Sequence, residues 1–327
     1  MSINISVLGA GAWGTALACA MVKARHNVTL WGRNKEVLQE IRHEQRNSAY
    51  LNDIKLVNGI KTQPDLGKAV RGADIILLVI PAQSIAAMIA RLKAFVTPDQ
   101  IIVTCAKGID QNLGKTPAEL LGGLVNRENI GVLSGPSFAH DVARDLPTAV
   151  TLAFEDIAQA MKYAQLLSSD SLRIYGSDDI IGVEIGGALK NVLALAVGIA
   201  RGLGLGASAE AALIARGFNE LRKLAEKMGA KADTLTGLSG LGDLVLTASS
   251  PQSRNFAYGM ALGRGDSVAG MPLAEGVFTA NIAGKLARDH KIETPIIQSV
   301  GAILADRISA RDAVRQLLSR PLKIENQ

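Results

Sequence analysis

The sequence predicts an α/β region followed by an all-α one, and three observations carry that expectation. From Ile3 to Tyr175, short apolar runs alternate with segments of helical period, as a doubly wound sheet requires. The first apolar run feeds directly into Gly9-x-Gly11-x-x-Gly14, and a helix-like stretch follows it. Beyond Asp178 the strand-like runs stop, and Ala-, Leu- and Gly-rich helical patterns continue to the end. The expected division is residues 1–178 and 179–327, two domains in a chain of 327 residues.

Ile3, Ile5 and Val7 read as a first strand, and Thr15–Lys23 as the helix after the glycine turn. Each glycine has a mechanical reason. Gly9 permits the sharp exit from the strand, Gly11 lets the backbone approach a pyrophosphate, and Gly14 lets helix and strand pack closely. The helix N-terminus then faces the anion. With a strand before it and a second strand, Val28–Leu30, on schedule, the motif specifies a Rossmann dinucleotide-binding domain. Glu36–His43 reads as a helix, Asn47–Gly59 as a looped connection and Asp65–Val70 as a short helix. Ile75–Ile80 is a continuous apolar run ending at Pro81, suited to a strand covered on both faces of a parallel sheet. Helices are expected over Ser84–Phe95, Pro117–Val125, Phe138–Arg144 and Glu155–Leu167. Strands are expected at Ile101–Cys105, Ile130–Ser134, Ala149–Ala153 and Leu172–Tyr175. In the second half, Ile180–Arg201, Ala207–Met228, Arg254–Leu262, Ala274–Asp289 and Ser299–Ala305 read as helices. Ser309 caps a terminal one, and Glu325–Gln327 reads as a frayed tail.

Composition narrows the function classes. With 48% hydrophobic residues and 20% charged, the chain has enough apolar side chains for substantial cores. The net charge is +5, but Lys and Arg are dispersed and only 4% of residues are aromatic, so nucleic-acid binding is not expected. Cys19 and Cys105 sit in apolar context and read as reduced thiols, which points to the cytoplasm. His26, His43, His140 and His290 show no metal-ligand spacing, so no metal is expected. Met1–Val22 carries no charge, yet it lacks a basic leader and is broken by the three turn glycines; neither a signal peptide nor a membrane span is expected. Gly114-Lys115-Thr116 mimics the end of a P-loop, but position 109 is Ile where that motif needs Gly.

The chemistry-bearing residues lie beyond strand ends and on the later helices. An NAD-type site carries an acid about 20 residues past the turn to bind the ribose 2′-OH. Here Gly32 and Arg33 hold that place, which favours NADP(H), with NAD(H) possible; the competing reading of Arg33 is a solvated surface residue. Lys107 follows a buried strand, and Gly135 and Ser137 open a helix; a surface lysine and a plain cap are their bland readings. Lys190 is flanked by an apolar run, Ile185 to Ala196, so it either snorkels or faces a cavity where its charge is used. An ammonium within reach of a ketone oxygen can donate a proton during hydride transfer, and the neutral amine serves the reverse reaction. Asp243, in the Gly-rich loop Gly237–Leu244, is placed to bridge to Lys190 and orient it, or is a surface turn residue. Ser253-Arg254-Asn255 at a helix start offers a hydroxyl, a guanidinium and an amide to a phosphate.

Taken together, Gly9–Ala18, Trp31-Gly32-Arg33, Lys107-Gly108, Ser134–Ala139, Gly187–Asn191, Gly240–Leu244 and Ser253–Asn255 resemble the bacterial NAD(P)-dependent sn-glycerol-3-phosphate dehydrogenases over nearly the whole chain. The resemblance implies a 6-phosphogluconate-dehydrogenase-like fold, often dimeric. It implies reversible interconversion of dihydroxyacetone phosphate and sn-glycerol 3-phosphate, feeding phospholipid synthesis. Lys190 would be the general acid and base. Lys107, Gly135, Ser137, Asp243, Ser253, Arg254 and Asn255 would hold the substrate. Ala12, Trp13, Arg33, Lys107, Ala139, Arg254, Leu273 and Glu275 would hold the cofactor beside Gly9, Gly11 and Gly14. One departure is the segment Gly265–Leu273, shorter than the family's usual connection ahead of Glu275-Gly276. Two rivals remain. A β-hydroxyacid dehydrogenase of related architecture would call for a carboxylate receptor. A cofactor-binding sensor without turnover would have no use for Lys190.

Overall fold

The computed structural model describes residues 2–321 and 324; Glu325–Gln327, read as a frayed tail, lie outside the described residues. Eight strands form one sheet: β1 (Asn4–Leu8), β2 (Asn27–Trp31), β3 (Ile60–Gln63), β4 (Ile75–Leu78), β5 (Ile101–Thr104), β6 (Ile130–Ser134), β7 (Thr148–Ala153) and β8 (Leu172–Ser177). Their spatial order is β3-β2-β1-β4-β5-β6-β7-β8. The first six are parallel, in the order of a dinucleotide-binding sheet. β7 runs antiparallel to β6, and β8 is parallel to β7. The doubly wound expectation holds, with the correction that the sheet is mixed at this edge.

Eight helices belong to this first region: α1 (Ala12–Lys23), α2 (Lys35–Glu44), α3 (Ser48–Leu51), α4 (Leu66–Val70), α5 (Ile85–Leu92), α6 (Pro117–Leu121), α7 (Ala139–Ala143) and α8 (Ile157–Leu167). Side-chain alternation along the strands explains why both sheet faces are covered. Ile75, Leu77, Ile101 and Val103 enter one apolar cluster with α1, α7 and α8; Ile76, Leu78 and Ile102 enter another with α4, α5 and α6. Every residue of β4 and β5 is buried, as a central parallel strand demands. Two readings are corrected here. Asn47–Gly59 is not all loop, because it contains α3, and β3 follows it unforeseen.

The remaining helices are α9 (Ile180–Gly202), α10 (Ala207–Lys227), α11 (Ala232–Thr236), α12 (Asp243–Ser249), α13 (Arg254–Arg264), α14 (Glu275–Asp289), α15 (Pro295–Leu304) and α16 (Ala310–Leu318). The stretch read as the loop Gly237–Leu244 is a single π-helical turn, Leu238–Gly242, running into α12. By contacts the chain divides into two units, residues 1–187 with 228–243 and residues 188–227 with 244–327. This division falls inside α9, and residues 228–243 group with the sheet unit. α9 is long and apolar enough to cross a membrane by length and composition, but 89% of its most apolar window is buried inside the fold, the mark of a core helix. In the helical unit α9 and α13 pack backbone to backbone: a Cβ on Gly259 would stand 2.3 Å from the Leu195 carbonyl oxygen, and one on Gly198 2.2 Å from that of Phe256. Ser309 caps α16 as expected, accepting from Asp312 N–H at 3.1 Å.

Candidate active site

The glycine turn leaves β1 with Gly9 N–H donating to Trp31 O at 2.9 Å, and the next main-chain donor with an acceptor is Thr15, to Gly11 O at 3.0 Å. Among the described residues, the N–H groups of residues 10–14 between them have no carbonyl or side-chain acceptor. Gly11 is the N-cap of α1 and supplies no capping side chain. Gly9 has φ +129°, where an L side chain is strained, and a Cβ on Gly14 would lie 1.8 Å from Gly9 O. In front of Gly11 nothing stands within 4 Å of where a Cβ would be. A row of unused donors, a helix start and an open approach fit the pyrophosphate of a dinucleotide. Ala12, Trp13 and Ala139 flank this turn, half-buried against the core cluster that α1 and α7 share. Arg33 is exposed just beyond β2, in a loop whose neighbours Gly32 and Asn34 bring no acid.

The loops after β5 and β6 meet through Lys107. Its ammonium donates to Gly135 O at 2.8 Å and to the Asp243 carboxylate at 2.7 Å. Asp243 is 1% exposed, so its charge is compensated by a buried ion pair. The Asp243 carboxylate thus orients Lys107, a partner not foreseen for it. Ser137 does not open a helix as expected: α7 begins two residues later with Phe138 as N-cap, and the Ser137 hydroxyl donates to Gly135 O at 3.0 Å. Gly135, at φ +145°, lies where a Cβ would be 2.9 Å from the Val150 backbone, so the turn has to be glycine. Behind this layer Glu184, on α9, accepts from Ala118 N–H at 2.7 Å, and burial pushes its carboxyl up to about 7.

In the helical unit Lys190 is 5% exposed, which settles its sequence ambiguity against snorkelling. Its ammonium donates to the Thr247 hydroxyl at 2.5 Å. Thr247 was missed. It stands one turn after Asp243 on α12, a spacing visible only once residues 243–249 are read as a helix. At the start of α13, the Ser253 hydroxyl accepts from Phe256 N–H at 3.2 Å. The Asn255 amide donates to Asn191 at 2.9 Å and accepts from Gly276 N–H at 2.9 Å. Arg254 between them is exposed, so of the expected trio the guanidinium is the member turned to solvent. Glu275 opens α14, and Leu273 precedes it at 41% exposure. Among the described residues no group of three or more His, Cys, Asp or Glu is placed to hold a metal ion, and both cysteines are free and buried. Burial raises the Cys105 thiol to about 12 and raises that of Cys19, so neither is a ready nucleophile at neutral pH.

Comparison with known proteins places this geometry. The chain is 52% identical over 326 residues to the glycerol-3-phosphate dehydrogenase [NAD(P)+] of Brucella ovis, covering 100% of both. It is 50% identical over 322 residues to the protein of the same name from a Chelativorans strain, covering 98% of each. The crystal structure of glycerol-3-phosphate dehydrogenase from Coxiella burnetii superposes with a TM-score of 0.91 at 37% identity, covering 98% of this chain and 99% of that one. Family models for the N-terminus and the C-terminus of NAD-dependent glycerol-3-phosphate dehydrogenase match residues 4–160 and 179–315. An open glycine turn on a β3-β2-β1-β4-β5-β6 sheet, followed by a helical region with a buried lysine, is thus found in a chain that belongs to the NAD-dependent glycerol-3-phosphate dehydrogenase family of oxidoreductases.

Proposed function

We propose that the protein catalyses the reversible, NAD(P)H-dependent interconversion of dihydroxyacetone phosphate and sn-glycerol 3-phosphate. The observation that carries the reading is Lys190: an ammonium 5% exposed, in an apolar helix, held by the Thr247 hydroxyl. Burying an ammonium costs stability, and a sensor without turnover offers no return for that cost. Family membership argues against the hydroxyacid reading.

The bound nicotinamide supplies the hydride in ketone reduction and takes it in the reverse direction. Lys190 delivers the proton to the ketone oxygen as that oxygen gains charge, and takes it back in alcohol oxidation. Gly9, Gly11, Ala12, Trp13 and Gly14 hold the pyrophosphate; Ala139, Leu273 and Glu275 complete the cofactor site. Arg33, in a loop without an acid, pairs with a 2′-phosphate and gives NADPH the preference over NADH. Lys107 and Asp243, with Gly135 and Ser137, position the three-carbon substrate. Arg254 pairs with its phosphate beside Ser253 and Asn255, and also reaches the cofactor. Residues 1–178 act as the nucleotide domain and 179–327 as the substrate domain of a cytoplasmic homodimer that supplies phospholipid synthesis.

A substrate panel tests this reading. NADPH absorbance is expected to fall with dihydroxyacetone phosphate and to stay constant with unphosphorylated dihydroxyacetone. Arg33→Asp is expected to raise the NADPH KM and lower that for NADH. NADPH binding with no reduction of any phosphorylated ketone would overturn the proposal.

A further inference from the structure

The strongest unexplained side chain near the glycine turn is Asn47. It is 0% exposed and lies in the connection after α2, 37 residues from the carbonyl it reaches. Its amide Nδ2 donates to Ala10 O at 3.1 Å and to the Thr15 hydroxyl at 2.8 Å. Ala10 is the middle residue of the Gly9–Gly11 turn, and Thr15 lies in the first turn and a half of α1. A carbonyl can only accept, so the amide must turn its NH₂ toward Ala10, and its orientation is fixed by chemistry rather than by choice.

Two further observations single the residue out. Asn47 is the N-cap of α3, a position where an asparagine side chain ordinarily accepts from its own helix; this one makes no such bond. Its Oδ1 is buried with no hydrogen-bond partner. The side chain therefore forgoes a cap and leaves an acceptor unsatisfied while its two amide hydrogens go to the glycine turn and to the helix that follows it.

We infer that Asn47 is a positioning residue for the dinucleotide: it fixes the peptide between Ala10 and Gly11 so that the turn's N–H groups face the pyrophosphate. In a trans peptide the C=O and the following N–H point in opposite directions. Tying Ala10 O to Asn47 therefore aims Gly11 N–H away from Asn47. The bond to Thr15 ties the same amide to α1, so turn and helix start are set as one unit. Preorganisation of this kind lowers the ordering cost of binding without touching the ligand.

The inference rests on the assignment of the glycine turn to the dinucleotide, and the experiment separates the two. Asn47→Asp keeps the shape and replaces the donors with an oxygen facing Ala10 O. It is expected to raise the NADPH KM about tenfold or more, with a far smaller change in kcat and none in the ketone KM. Thr15→Val, which removes one of the two acceptors, is expected to raise the NADPH KM by a smaller factor, and Thr15→Ser to restore it. Thermal midpoints are measured in parallel, and kinetics well below the lowest of them. A lowered midpoint with an unchanged NADPH KM in both Asn47→Asp and Thr15→Val would reduce Asn47 to a packing role and overturn the inference. Wild-type protein that fails to bind NADPH would instead overturn the dinucleotide assignment itself. If Asn47→Asp does not fold, the Thr15 pair decides: equal NADPH KM values for Val and Ser contradict the clasp.

Discussion

At the start of α1, the N–H groups of residues 10–14 have no acceptor among the described residues, and the space before Gly11 is open. At the start of α13, Ser253 accepts from Phe256 N–H, and both ends of the Asn255 amide are engaged, with Asn191 and with Gly276. Both are helix N-termini that the sequence marks for an anion. One leaves five N–H groups in a row bare; at the other the Ser253 hydroxyl takes the Phe256 N–H, the Asn255 amide ties the helix start to Asn191 and Gly276, and one guanidinium stands outside. The lesson is that a helix start binds an external anion through its main chain only where no internal oxygen has taken the donors. At the Ser-Arg-Asn start the exposed group is the arginine, which is why the proposed function gives the phosphate to it.

The comparison can be broken from either side. The largest effect belongs to the helical unit, to which the proposed function assigns the proton-transferring side chain. Lys190→Met is expected to lower kcat by about 10³-fold, with the NADPH dissociation constant changed only a few-fold, as fluorescence titration would read. A comparable fall with loss of NADPH binding would mean that the lysine holds cofactor instead.

Two other helix starts are closed by buried carboxylates, and they turn the contrast into a pH dependence. Glu220 accepts from Ile296 N–H at 2.9 Å and from Ile297 N–H at 3.1 Å, as Glu184 does from Ala118. Burial raises each carboxyl from 4.5 to about 7. The folded state therefore binds more protons than the unfolded chain between those values. The stability each confers is complete below about 4.5 and is lost as pH rises through about 7, by up to about 3 kcal/mol apiece. Urea unfolding at pH 5 and pH 8 should show wild type losing stability on going up, and Glu220→Gln losing distinctly less. Identical losses would contradict the account.

Next in size is the phosphate contact proposed for Arg254 at the start of α13. Arg254→Ala should raise the dihydroxyacetone phosphate KM by about 10²-fold, because a charge-assisted pair is removed. Ser253→Ala, which removes a cap, should instead cost about 1 kcal/mol of stability and leave the KM within a few-fold. Equal kinetic effects would show that the hydroxyl, too, faces the ligand.

The smallest effect is at the open start. Gly11→Ala adds a methyl where nothing lies within 4 Å, so stability should hold while the NADPH KM rises about tenfold. Gly14→Ala, whose methyl would stand 1.8 Å from Gly9 O, should lose stability by about 1–3 kcal/mol as well. Equal destabilisation by the two would erase the distinction between a ligand-facing and a packing glycine.

The legible parts of this chain are those whose signal is local. The apolar runs of β1, β4, β5 and β6 and the Gly9-x-Gly11-x-x-Gly14 turn could be read because a buried parallel strand and a phosphate turn each impose a pattern on consecutive residues. β3 could not: Ile60-Lys61-Thr62-Gln63 buries one residue of four and lies at the sheet edge, so it carries no apolar run. The antiparallel turn of β7 was equally hidden, since strand direction leaves no mark on side-chain alternation. Gly237–Leu244 was read as a loop because Gly and Ser mark turns, whereas it winds into a π turn and the start of α12, and with that helix Thr247 was lost. Asn47 was invisible for another reason. A polar residue in a polar connection gains its meaning only from a carbonyl 37 residues away.

The open turn itself can be tested most directly through its own amides. In a titration of the protein with NADPH, followed by amide resonances, the signals of residues 10–14 should move strongly and saturate together with binding. Saturation by NADPH with those five resonances unmoved would show that the cofactor's phosphates lie elsewhere, and the account built on the glycine turn would fail.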